Sequence, residues 1–240
     1  MGDLDIVEFA DNPDPRCPCV LLLDTSSSME GQPIGALNEG LRVFQADIQN
    51  DALAQRRSEI ALVTFGNGGV RVLDYASGDL VPASRGNLPT QSFTIARDFH
   101  APTLTADGYT PMGEAIHVAL DLIQSRKTEY KRNGVAYYRP WVFMVTDGLP
   151  TDSWSGGALR VHEEVRLGGV VFFAVGVPPE ADFELLAQIT TPERPPVELH
   201  ALHFSEMFAW LSQSQKRASA GAVGGQVALP PISGWGSVPL

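Results

Sequence analysis

The chain has 240 residues, 44% of them hydrophobic, with 17 basic against 28 acidic side chains and a formal net charge of −11. That size and apolar content suffice for one large domain with a full core. The acidic balance excludes a general nucleic-acid or anionic-membrane binder, since both need an excess of Lys and Arg to meet phosphates, and no stretch approaches the roughly 18 consecutive apolar residues of a membrane span.

In chain order, residues 1–15 are an acidic lead-in without an apolar signal segment, which together with only two cysteines points to a cytoplasmic, reducing home. Cys17 and Cys19 open the apolar run CPCVLLLD, which ends on Asp24 and reads as a strand buried on both faces. The two thiols fall on one side of that strand, too close for an easy disulfide, and read as small core residues. Ile34, Leu37, Leu41, Phe44 and Ile48 recur at helical spacing. EIALVTF (59–65) and VRVLDY (70–75) are strands joined across Gly66-Asn67-Gly68-Gly69, a hairpin spacer rather than a phosphate cradle, because a strand and not a helix follows.

Residues 76–110, broken by Pro82, Pro89 and Pro102, give no clear element. Pro111 opens a helix over 112–128, and PWVFMVTD (140–147) is a second buried strand ending on an acid. A helix over roughly 156–167, a strand Val170–Val175, a short helix Ala181–Ile189, a short strand Val197–Leu199 and a helix Ser205–Arg217 capped by Ser205 complete the pattern. Strands alternating with helices predict an α/β fold: a doubly wound, mostly parallel sheet with helices on both faces and one antiparallel hairpin strand. The domain is expected to span 16–217. Residues 218–240 carry no charge and are rich in Gly and Pro, yet Val227, Leu229, Ile232 and Trp235 are costly in water, so the tail is either flexible or docked.

Ligands of open α/β sheets collect where strands end and helices begin. Here Asp24 is followed by Thr25-Ser26-Ser27-Ser28, Asp147 ends another strand, and Thr110 sits in the loop DGYTPMG just before a helix. If the turn after Asp24 stays extended, Asp24, Ser26 and Ser28 face one way. Each piece alone also reads as a helix cap. Together they form a set of hard oxygen donors that selects Mg²⁺, with Mn²⁺ or Ca²⁺ as the other candidates, over zinc or copper. Two carboxylates and neutral hydroxyls leave part of the coordination shell for water or a carboxylate from a partner. Asp107 and Asp152 read as outer acceptors holding ligand hydroxyls, and Tyr109, Leu149 and Trp154 as an apolar rim.

DTSSS at 24–28, Thr110 within GYTPMG and Asp147 within VTDGLPTD resemble the metal-ion-dependent adhesion site of von Willebrand factor type A (vWA) domains, over roughly residues 15–215. The wording around the motifs is most similar to bacterial intracellular members of the TerY/YegL type, associated with tellurite resistance and stress response. The resemblance implies a Rossmann-like fold, Asp24, Ser26, Ser28, Thr110 and Asp147 as the metal-site residues, and metal-assisted protein binding rather than catalysis. It also links the type to a protein kinase and a PP2C-type phosphatase. No G-x-S-x-G, G-x-x-x-x-G-K-[ST] or H-E-x-x-H pattern occurs, and His100, His117, His162, His200 and His203 are scattered. The alternatives are a Mg²⁺-dependent phosphohydrolase, which also holds metal on strand-end carboxylates, and a metal-independent scaffold.

Overall fold

A computed structural model describes Phe9 and residues 12–66 and 68–239; most of the lead-in, and Asn67 of the hairpin spacer, lie outside the described residues. The central strand is β1 (Cys17–Thr25), buried along its whole length. It pairs in parallel with β2 (Ser58–Gly66) on one side and β6 (Trp141–Thr146) on the other. Beyond β6 the parallel run continues through β7 (Val171–Gly176) to β8 (Val197–Leu199). Beyond β2 lie β3 (Gly69–Asp74) and β4 (Asp79–Pro82), both antiparallel, giving the order β4-β3-β2-β1-β6-β7-β8, with a last short strand at the edge beyond β8. The mostly parallel, doubly wound sheet and its β2–β3 hairpin are as the sequence leads one to expect. The structure adds three short antiparallel pieces: β4, β5 (Thr94–Ile95) against β2, and β9 (Gly236–Ser237) against β8.

Strand alternation sorts the core into two layers. Cys17, Cys19, Leu21 and Leu23 face α1 (Gln32–Gln49) and the last helix, while Val20 and Leu22 face the opposite layer. That opposite layer is built from α3 (Met112–Asn133), α4 (Ser155–Arg166) and α5 (Phe183–Ile189); a one-turn helix, α2 (Ala54–Arg57), precedes β2. The chain thus leaves β1 for one face and β6 for the other. Adjacent crossovers that diverge in this way open a crevice at the carboxyl ends of β1 and β6, where ligands of such sheets bind.

Both cysteines are buried and free, on one face as expected. Burial, and secondarily the nearby Glu59, pushes the Cys17 thiol up to about 12, and burial also raises Cys19, so neither is a reactive thiolate. The closing helix α6 runs Phe204–Ala220 with His203 as its N-cap. Ser205 therefore does not cap it: the amide of Met207 already bonds the His203 carbonyl at 3.0 Å, which places Ser205 inside the first turn. The tail is docked on its own domain. Trp235 is 3% exposed and packs on Trp210, with ring centroids 5.3 Å apart. The Trp210 indole donates to the Pro230 carbonyl at 2.8 Å, and the His200 amide donates to the Trp235 carbonyl at 2.8 Å.

Candidate metal centre

Three loops meet at the crevice, and main-chain hydrogen bonds tie them together. Asp107 donates its amide to the Thr25 carbonyl at 2.9 Å, and Ser27 donates to the Gly108 carbonyl at 3.1 Å, joining the loop before α3 to the end of β1. That same loop is fixed to the one after β6: the Thr151 amide donates to the Thr110 carbonyl at 2.9 Å, and the Thr110 amide to the Thr151 hydroxyl at 3.1 Å. Gly113 is needed at this junction, because a Cβ there would stand 2.3 Å from the Ser153 carbonyl oxygen.

Asp24, Ser26, Thr110 and Asp147 are all buried, at 0%, 2%, 5% and 3% exposure, while Ser28 lies at the solvent side. Their polar atoms converge. The Ser28 hydroxyl donates to Asp147 Oδ1 at 2.7 Å, and the Ser26 and Ser28 hydroxyl oxygens are 3.1 Å apart. Thr110 Oγ1 reaches the same spot, since a Cβ on Gly148 would lie 3.3 Å from it and 3.5 Å from Ser28 Oγ. Ser28 arrives there by a different route from the extended turn expected. Ser26 is extended, at φ −71° and ψ 170°, but Ser27–Met29 is a 3₁₀ turn that swings Ser28 back beside it.

Asp24 is held on both oxygens: Oδ1 accepts the Ser26 amide at 2.8 Å, and Oδ2 accepts the Thr146 hydroxyl at 2.5 Å. Thr146 is fully buried and escaped the sequence reading. Only the pairing of the strands gives it away: the parallel register that pairs Leu23 with Val145 puts the next residues, Asp24 and Thr146, side by side. Burial, opposed by the hydrogen bonds from Ser26 and Thr146 and aided by the charge of Asp147, raises Asp24 from 3.8 to about 6. Burial likewise raises Asp147, against the Ser28 hydrogen bond and with help from the charge of Glu180.

The donor set suits a small hard cation. Adjacent oxygens around an octahedral Mg²⁺ stand about 3 Å apart when the metal–oxygen distances are about 2.1 Å; the 3.1 and 2.7 Å separations here bracket that spacing. Among the described residues no group of three or more His, Cys, Asp or Glu side chains could hold a metal. A cation at this point would therefore be held by hydroxyl and water oxygens besides the two carboxylates.

The five flanking residues separate. Asp152 accepts the amides of Gly113 and Glu114 at 2.9 and 2.8 Å, so it caps α3 rather than holding a ligand hydroxyl. The first amides of a helix lack intrahelical partners and attract an acid, and this cap fixes the helix that follows Thr110. Asp107 is exposed beside Thr25. Tyr109 and Leu149 stand out to solvent, 79% and 57% exposed, whereas Trp154 is half-buried against the α3–α4 layer and leaves the rim.

With the geometry in place, comparison with known proteins is informative. The sequence model of the von Willebrand factor type A domain matches residues 19–216. The chain belongs to this family. No curated protein sequence matches it significantly. Among solved structures, the pilus adhesin SpaC from Lactobacillus rhamnosus GG superposes with a TM-score of 0.60 at 14% identity, covering 85% of this chain and 30% of that one. Proximal thread matrix protein 1 from the mussel byssus gives 0.52 at 16% identity, covering 85% and 49%. Manganese-loaded TRAP protein from Plasmodium vivax gives 0.52 at 18% identity, covering 82% and 73%. At such identities the likeness establishes the fold, and the chain spans less than half the length of the first two of these proteins. No helix among the described residues is long and apolar enough to cross a membrane.

Proposed function

We propose that this vWA domain holds a divalent cation, Mg²⁺ first among Mg²⁺, Mn²⁺ and Ca²⁺, and uses it to bind a carboxylate of a partner protein. The observation that carries this reading is the convergence of Ser26, Ser28, Thr110 and Asp147 oxygens over a buried Asp24, open on the Ser28 side. A bound cation supplies an electrophilic position that neutral hydroxyls leave unfilled. Asp24 and Asp147 neutralise its charge, Ser26, Ser28 and Thr110 fill part of its shell, and Thr146 orients Asp24. Tyr109 and Leu149 stand ready beside it as apolar anchors for the partner. The manganese-loaded TRAP protein supports the reading by likeness of fold alone.

The role is adhesion rather than turnover. Hydroxyls and main-chain amides surround the two acids, and the other charge acting on Asp147 is Glu180, itself an acid. A phosphohydrolase would want a general base or a cation clamping phosphate. We further propose the TerY/YegL type, a cytoplasmic home and a kinase or PP2C-type phosphatase among the partners. Support for these comes from the motif wording and from the free, buried Cys17 and Cys19.

Titration of the purified chain with Mg²⁺, Mn²⁺ and Ca²⁺ tests the reading. Asp24→Ala is expected to weaken binding beyond the ~10–100-fold that loss of an outer partner costs, and Ser26→Ala to weaken it measurably. Equal metal binding by wild type and both variants would refute the proposal. Partner capture with and without chelator then reads whether the metal is the bridge.

A further inference from the structure

A second site lies away from the metal centre, under the docked tail. A half-open apolar pocket of about 200 Å³ lies between the sheet, α6 and residues 229–238. Its walls include the rings of Phe143, Phe173, Trp210 and Trp235, with Leu229 from the tail. These rings already form a cluster, Phe173 standing 5.8 Å from Trp210 in an edge-on arrangement. The volume is of the order of the ~150 Å³ engineered cavities that stay dry and admit one benzene ring.

Two polar features break the apolar lining. The Trp235 indole nitrogen is buried and finds no acceptor among the described residues, although a buried indole N–H usually has one. Arg194 also lines the cavity, its guanidinium 5.4 Å from the centre of the Phe173 ring. It makes no ion pair among the described residues, and its neighbour Glu193 is exposed to solvent. Burial, and then the like charge of Arg139, pull the Arg194 guanidinium down against the opposite charge of Glu193. An aromatic box with an unmet N–H donor and an unpaired guanidinium is matched by a flat ring carrying an anionic acceptor.

We propose that the cavity binds a small aromatic carboxylate, its ring among Phe143, Phe173, Trp210 and Trp235 and its carboxylate toward Arg194. The tail acts as the strap over the ligand. It is held by the two-residue pairing of β9 with β8 and by the Trp210–Pro230 and Arg217–Ala228 hydrogen bonds, so opening it for entry disrupts few main-chain bonds.

The test is calorimetric titration of the full chain with phenylacetate, benzoate and neutral toluene, repeated on Arg194→Gln, with the Trp235 indole N–H followed by NMR. One-to-one binding of an acid is expected, weakened about tenfold or more in Arg194→Gln, with the Trp235 indole resonance shifting on saturation. Thermal unfolding of Arg194→Gln should match wild type, so that lost binding reports the contact and not the fold. The proposal is overturned if neither acid binds saturably, if toluene binds as tightly as the acids, or if Arg194→Gln binds unchanged.

Discussion

The two ends of the central strands bury acids in opposite ways. At the amino end, Glu59 is completely buried yet surrounded by the chain's own cations. Arg126 donates to its Oε2 at 2.7 Å, Tyr130 donates to the same oxygen, and Arg16 Nε lies 2.9 Å from Oε1 as an ion pair rather than an aligned hydrogen bond. Arg126 turns its other arm to Glu129 at 2.8 Å. At the carboxyl end, Asp24 and Asp147 have hydroxyls and amides around them and ion-pair with no Lys or Arg among the described residues. Burying a charge costs several kcal/mol unless it is compensated. The amino end meets that cost from within the fold; under the proposed function, the carboxyl end meets it with a cation from solution. The first arrangement is architecture and the second is the proposed site.

Exchange of one buried side chain at each end breaks this comparison most sharply. Glu59→Gln takes the buried carboxylate away from Arg16 and Arg126, 1% and 6% exposed, while Arg126 keeps its contact with Glu129. Denaturant unfolding should show a loss of ~3–5 kcal/mol, the range for a broken buried ion pair, with no specific effect on metal affinity in whatever protein remains folded. Thr146→Val should do the reverse. It removes the hydroxyl on Asp24 Oδ2 while keeping the β-branched shape, so metal affinity should fall ~10–100-fold with only a small change in unfolding. A large stability loss with unchanged metal affinity in Thr146→Val would mean that the carboxyl end, too, is architecture.

Much of this contrast was legible in the sequence. Buried parallel strands such as 17–25 and 141–146 are unbroken apolar runs, and the acid that stops each run marks a strand end at the crevice. The five proposed donor residues followed from that logic, because each stands at, or within a few residues of, a strand end or a helix start. What escaped depended on partners distant in the chain. Thr146 matters only because β1 and β6 pair in one register, and Asp152 caps a helix that begins some forty residues earlier. The segment 76–110 was opaque because β4 and β5 are short and only partly buried, and take their strand character from β3 and β2. The tail was undecided for the same reason: Trp235 is an apolar residue in a Gly/Pro-rich stretch until Trp210 is placed beside it.

The smallest effect expected is on pH dependence, and its sign separates the site from a buried structural acid. In the metal-free protein Asp24 takes up its proton near pH 6, against 3.8 for the ordinary carboxyl. Between those values the folded chain keeps a proton that the unfolded chain has released, so raising the pH through this window lowers metal-free stability. A cation needs the ionised carboxylate and competes with that proton. Apparent metal affinity should therefore rise with pH, by about tenfold from about pH 5 to about pH 7, and level off above. Melting curves recorded with excess Mg²⁺ and with chelator read both signs at once: the chelated protein should lose stability as pH rises toward about 6, while the gain from Mg²⁺ grows. Should the Mg²⁺ gain stay constant across that window, Asp24 is not exchanging its proton for a cation, and the metal sits elsewhere.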